Sequence, residues 1–231
     1  MVTVTSIAGG APKAVFDRLG PVYEKQSGNK LSALYDTMSG IQGRLANHDA
    51  LDVLLMPVSM LDDLEKASTV RGQGRATLAI IGLGIGVKTG AKLPDISTRD
   101  ALRAALAAGR AIVHAPPAAT PSGAQSEKVI KELGLAGKVP VIHKAGLAGG
   151  VAAIASGEAE YGIFPKSEIV AFDGVTLIGS LPPALQLNIV YGAAVTTASA
   201  VAGPAADFIQ FLIAPESRKV WNACGFDPPS R

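Results

Sequence analysis

The chain reads as an α/β protein with mostly parallel sheets and helices on both faces, and the sequence predicts this in three ways. Short apolar or β-branched runs alternate with helical patterns of about ten residues, the grammar of βαβ units. Asp52–Met56 (DVLLM) is a nearly continuous apolar run, as expected of a strand covered on both faces. Gly, Ser and Thr collect where strands hand over to helices, the edge at which open α/β sheets bind ligands.

Taken in order, Val2–Ser6 alternates as a first strand and Gly9-Gly10 breaks it. Pro12 suits the first turn of a helix carrying Val15, Phe16, Leu19, Val22 and Tyr23, which Ser27-Gly28 ends. Lys30–Tyr35 is a second strand, followed by a helix with Ile41 and Leu45. Ser59 and Asp62 have capping-box spacing before Leu61 and Leu64. Thr77–Val87 is a long strand whose Gly82, Gly84 and Gly86 mark a flexible crossing segment. Ser97 or Thr98 caps a helix to about Ala108, and Ala111–His114 is a strand. Ser122 caps a helix from about Ala124 to Leu133. Val139–His143 and Tyr161–Phe164 are strands flanking a helix over Leu147–Ala155, and Ser167–Phe172 is helical. Strands at Val175–Ile178 and Leu187–Thr197 precede helices at Pro204–Ile213 and Glu216–Cys224.

Composition excludes several classes. Of 231 residues, 48% are hydrophobic and 17% charged, so the chain has ample apolar surface to bury and is not a disordered one. Lys and Arg number 21 against 19 acids, with no basic block or basic–aromatic stripe, so no nucleic-acid partner is expected. The apolar stretches Ala76–Val87 and Val190–Ala202 fall short of the roughly 20 residues that span a bilayer, so no membrane insertion is expected. No charged-then-apolar leader precedes Val2. The expectation is a periplasmic protein if a leader was removed, and a cytoplasmic one if Met1 is the native start. Cys224, the single cysteine, has no disulfide partner and reads with Trp221 as packing.

Four junctions carry the chemistry: Gly9-Gly10-Ala11, Thr37-Met38-Ser39-Gly40, Thr120-Pro121-Ser122-Gly123 and Gly146–Gly150 before Val151. Helix N-termini present unpaired N–H groups and a partial positive charge, which suit an anion, and the hydroxyls add donors. Such residues also cap helices wherever they occur, so a single loop does not distinguish capping from binding. GxSxG, GxxxxGK[ST] and HExxH are absent, and Gly82–Val87 lacks the spacing of a dinucleotide fingerprint. His48, His114 and His143 lack metal-ligand spacing, so neither a metal nor a cofactor is expected. His114 and His143 end predicted strands near these loops. Lys144 and Lys166 have similar positions, fit either to neutralise a carboxylate or to remain solvated. Tyr35 reads as core with a hydroxyl to spare, and Asp52 as a residue that fixes a loop.

Several segments resemble a known family: Val15–Gly28, Leu51–Met56, Ile85–Thr98, Pro117–Gly123, Leu133-Gly134-Leu135, Ser156–Ile163, Gly179–Pro182 and Phe211–Pro215. Together they are similar to the molybdate-binding-protein-like extracellular solute receptors of ABC transporters, over nearly the whole chain. The resemblance implies a two-lobe type II periplasmic-binding-protein fold. Lobe 1 would span 1–80 plus 191–231 and lobe 2 would span 81–190, with the ligand cleft between them. The Gly-rich crossing and Leu187–Thr197 would be hinges.

In molybdate receptors, hydroxyls and backbone N–H groups from four loops hold the oxyanion. The first-loop serine falls at Ala11 and is lost, whereas the second falls at Ser39 and is kept. The third loop corresponds to Ala118–Ser122 and the fourth to Gly149–Val151; the family tyrosine falls at Pro165 and is lost, with Lys166 next to it. The expected ligand-binding set is therefore Gly9, Gly10, Ala11, Thr37, Ser39, Gly40, Thr120, Ser122, Gly149, Gly150, Val151, Pro165 and Lys166. The expected function is a monomeric binding protein that clamps a small anion, an oxyanion or a small carboxylate, for an ABC-type permease. The alternative is a cofactor-independent isomerase resembling aconitate isomerase, which shares the receptor fold. His114, His143, Lys144 or Lys166 would then carry the proton, and helix N-termini would steady the enolate-like charge.

Overall fold

The computed structural model describes residues 1–229; residues 230 and 231, the end of the span expected for lobe 1, lie outside them. The chain divides into two compact units, Met1–Ile80 with Ile189–Arg231, and Ile81–Asn188.

In the first unit β1 (Thr3–Ala8) pairs in parallel with β2 (Lys30–Tyr35) and β3 (Val53–Pro57), and β3 pairs antiparallel with β9 (Asn188–Val195). Right-handed βαβ connections need a helix after each parallel strand. These are α1 (Lys13–Ser27) and α2 (Met38–Ala46), with α3 (Val58–Lys66) following β3. On one face Ile41 of α2 and Leu61 of α3 pack on Ile7, Leu54, Met56 and Ala194. Aromatic pairs join the aliphatic residues of the core. Tyr23 of α1 meets Phe208 of α8 (Ala202–Ile213) at 4.8 Å between ring centroids, and Trp221 of α9 (Pro215–Ala223) meets Phe226 at 4.9 Å. Cys224 is buried with them. Asp52 ties the unit together, accepting from the Thr5 N–H (2.8 Å) and the Ser199 hydroxyl (2.6 Å).

The second unit takes up β4 (Ala76–Lys88) beyond Ile80. β5 (Ile112–His114) pairs in parallel with β6 (Val141–His143) and β7 (Tyr161–Pro165), while β4 runs antiparallel to β7 and β8 (Val175–Ser180). Alternation sorts each strand onto two cores: Ile112 and Ile163 join α4 (Arg99–Ala108) and α5 (Pro121–Glu132) on one face, and Val113 and Phe164 join α6 (Ala152–Ser156) and α7 (Lys166–Val170) on the other. The glycines of β4 serve close packing: a Cβ at Gly84 would lie 2.9 Å from the Gly179 carbonyl and 2.6 Å from Leu177.

Three local expectations change. Pro57, not Ser59, is the N-cap of α3, so the Ser59/Asp62 capping box does not form. Thr120 rather than Ser122 caps α5, because Pro121 already occupies the first helical turn. The helix expected over Leu147–Ala155 divides into a π-helical turn, Gly146–Val151, and α6.

Candidate functional site

In the first unit the β1–β2 pairing ends with Ala8 opposite Tyr35, and the Asp36 N–H donates to the Ala8 carbonyl at 3.1 Å. The loop Gly9–Ala11 and the start of α2 therefore emerge at one sheet edge. A Cβ on Gly9 would come within 2.9 Å of Met38 Cε, whereas Gly10 faces open space. Thr37 is the N-cap of α2: its Oγ1 accepts from the Gly40 N–H at 3.0 Å and meets Ser39 Oγ at 3.1 Å. Asp36 braces this turn through Arg44 Nε (3.0 Å), and that hydrogen bond, with the one from the Thr37 N–H, holds the Asp36 carboxyl below its usual range. Tyr35, half-buried, has its pKa pushed up to about 12 by burial and then by Asp17, so its hydroxyl stays a neutral donor.

The second unit repeats this turn. Thr120 Oγ1 accepts from the Gly123 N–H at 2.9 Å and meets Ser122 Oγ at 2.9 Å. Thr-x-Ser-Gly thus recurs in sequence and in hydrogen bonding, once per unit, at the N-terminus of a helix of nine or twelve residues. The threonine serves as the cap and takes the glycine N–H; the serine N–H, and in α2 also that of Met38, are left as donors, together with the serine hydroxyl where the threonine hydroxyl donates to it. Gly123 is required here because a Cβ would sit 2.5 Å from the carbonyl oxygens of Ala115 and Pro116.

The carboxyl ends of β5, β6 and β7 lie side by side, with His114 in register with both His143 and Ile163. Just beyond them come the Ala118–Ser122 loop, the π-turn holding Gly149, Gly150 and Val151, and the Pro165–Lys166 junction, where Pro165 is the N-cap of α7. π-turns are rare and often found at functional sites. Lys166 is buried, and Lys144 Nζ donates to both Glu158 oxygens at 2.8 and 2.7 Å. His114 is fully buried and stacks edge-on with the more exposed His143, 4.8 Å between centroids. Glu127 of α5 places Oε2 3.5 Å from His114 Nε2 and 3.7 Å from His143 Nε2. Burial, then the neighbouring His143, hold the His114 pKa below the ordinary histidine value, against the pull of the Ala115 carbonyl and Glu127. Burial tends to raise the Glu127 carboxyl, but Lys131 and the two histidines outweigh it and lower the pKa.

Glu127 and Glu158 were not anticipated as site residues. Glu127 did carry a signal: it stands four residues after Gly123 and three before Ile130, on the inward face of α5. Glu158 meets Lys144 only through the tertiary fold, which no spacing reveals.

Solved structures share this architecture. A substrate-binding domain assigned to a molybdenum ABC transporter of Clostridium difficile superposes with a TM-score of 0.84 at 17% identity, covering 100% of both chains. The periplasmic molybdate-binding protein of Azotobacter vinelandii gives 0.74 at 20% identity over 98% of this chain and 100% of that one. The fold is therefore that of the type II periplasmic binding proteins. Residues 4–227 match the family described as bacterial extracellular solute-binding protein, and the chain belongs to that family. It is also 27% identical to an aconitate isomerase of Pseudomonas sp over 238 aligned positions, 99% of this chain and 88% of the relative. Among the described residues no helix is long and apolar enough to cross a membrane.

Proposed function

We propose that this protein binds a small anion, oxyanion or organic carboxylate, taking donors from loops of both units and delivering it to an ABC-type permease from a periplasmic location. The observation that carries this reading is the recurrent Thr-x-Ser-Gly turn, present once in each unit and hydrogen-bonded alike. Each presents a serine hydroxyl over a helix N-terminus, a combination that favours negative charge without a fixed counterion. The loss of hydroxyls at Ala11 and Pro165 leaves fewer donors than a molybdate receptor uses and favours a carboxylate.

A second reading has one specific observation in its favour, the full-length likeness to an aconitate isomerase. Under it the same loops hold a tricarboxylate, a base removes a proton from the carbon beside the double bond, the double bond shifts toward that carbon, and the proton is returned at the far carbon of the original double bond. Lys144 suits that role poorly, because Glu158 engages its ammonium; His143, half-exposed at the end of β6, suits it better.

Thermal-shift titration with molybdate, sulfate and small di- and tricarboxylates, followed by proton NMR of the mixtures, separates the readings. The expected result is one stabilising ligand. Ser39→Ala and Ser122→Ala should each weaken it by roughly tenfold or more, as loss of a hydrogen bond to a charged group does. Failure of the whole panel to stabilise the protein would overturn the anion reading. New vinyl proton signals from the aconitate sample would establish turnover.

A further inference from the structure

The geometry points to a divalent transition-metal site in the second unit: we propose that His114 Nε2, His143 Nε2 and Glu127 Oε2 bind one zinc-like ion. The three ligand atoms lie within 4.8 Å of one another, and the two nitrogens stand 3.5 and 3.7 Å from the same carboxylate oxygen. Bonds of about 2.0–2.2 Å at tetrahedral angles put ligand atoms roughly 3.4 Å apart, so the closure needed is small.

The second observation is the state of His114. Its Nδ1 lies 2.7 Å from the Ala115 carbonyl oxygen, which can only accept, so Nδ1 carries the proton. In the neutral ring Nε2 then presents a lone pair. That atom is fully buried, has no hydrogen bond and faces the Glu127 carboxylate. A buried lone-pair nitrogen without a partner, 3.5 Å from a carboxylate oxygen that a second imidazole nitrogen approaches to 3.7 Å, leaves a place for a cation among the three. A ring held through Nδ1–H by a backbone carbonyl is also the usual outer-shell support of a metal-binding histidine. Lys131 pairs with the other carboxylate oxygen, Oε1, at 3.3 Å and leaves Oε2 to the imidazoles. Two imidazoles and a carboxylate match zinc, cobalt or nickel rather than magnesium or calcium. The ion would pin α5, whose N-terminus holds Thr120 and Ser122, to the ends of β5 and β6.

The test is isothermal titration of EDTA-treated, dialysed protein with Zn²⁺ in a chloride buffer free of carboxylates, with Co²⁺ absorption as the spectroscopic readout. One Zn²⁺ per chain is expected. At one hundred times Kd the melting temperature should rise by roughly 5–10 °C. Glu127→Gln and His143→Ala alter partly exposed side chains and should fold. Each should weaken binding beyond the ~10–100-fold cost of losing an outer-shell partner and bleach the Co²⁺ bands. His48→Ala should change nothing. No zinc binding at millimolar concentration, retention within twofold in both variants, or loss in His48→Ala would each overturn the proposal. Anion binding is measured on metal-free protein, so either idea can fail without the other.

Discussion

At the scale of single residues, the half-buried acid Glu168 makes a pH-dependent contribution. It lies in α7, and burial raises its carboxyl pKa above the ordinary 4.5. The native state then binds a proton more tightly than the unfolded chain does. Stability therefore declines as pH rises from about the unfolded value through the raised native one. Glu168→Gln removes the ionisation and keeps the shape. In urea titrations the variant should match the parent near pH 4 and exceed it at pH 7 and above, the gap opening upward with pH. A gap that opens toward acid instead would mean that the ionised carboxylate is stabilising in the fold. Asp52 shows the opposite use of an acid. Its two accepted hydrogen bonds tie β1 to the segment before α8, the loop-fixing role its position in the sequence suggested.

At the scale of elements, what was legible followed backbone periodicity, and what was missed followed tertiary contact. Lys30–Tyr35 is the strand its pattern describes, residue for residue, because its two faces differ in composition. For the helix before Ala108 the sequence offers Ser97 or Thr98 as cap, and Thr98 takes the role, accepting from the Ala101 N–H. The π-turn at Gly146–Val151 has no sequence signature beyond its glycines, and a helical pattern cannot separate i→i+5 from i→i+4 bonding. The Thr-x-Ser-Gly turns are both visible, but the division of labour within each depends on hydrogen bonds made only in the folded chain and, in the second, on Pro121. The His114–Glu127–His143 group joins two strands and a helix, so histidine spacing along the chain could not show it. Gly123 gives the element-scale prediction. Gly123→Ala places a methyl group against two carbonyl oxygens at 2.5 Å, backbone atoms that cannot swing aside. It should cost about 1–3 kcal/mol of stability as overpacking does. It should also weaken the anion, because the start of α5 must move away from the loop it rests on. Unchanged affinity with lowered stability would place the α5 N-terminus outside the binding site.

At the scale of the whole molecule, each unit has a core of its own, with separate apolar clusters in the first and in the second. The chain passes between them only twice, within β4 and at the start of β9. A protein built of two such units can exchange between arrangements without disturbing either unit's own core. A ligand shifts that balance only through differential affinity. Under the proposed reading, in which loops of both units donate to one anion, that differential affinity requires both serine turns. Small-angle scattering should therefore show a smaller radius of gyration with the stabilising anion than without it. Ser39→Ala and Ser122→Ala, one in each unit, should reduce that compaction alike, since losing either half removes the differential contact. If only one of them matters, the anion belongs to a single unit, and its recognition has to be explained by that unit's loops alone.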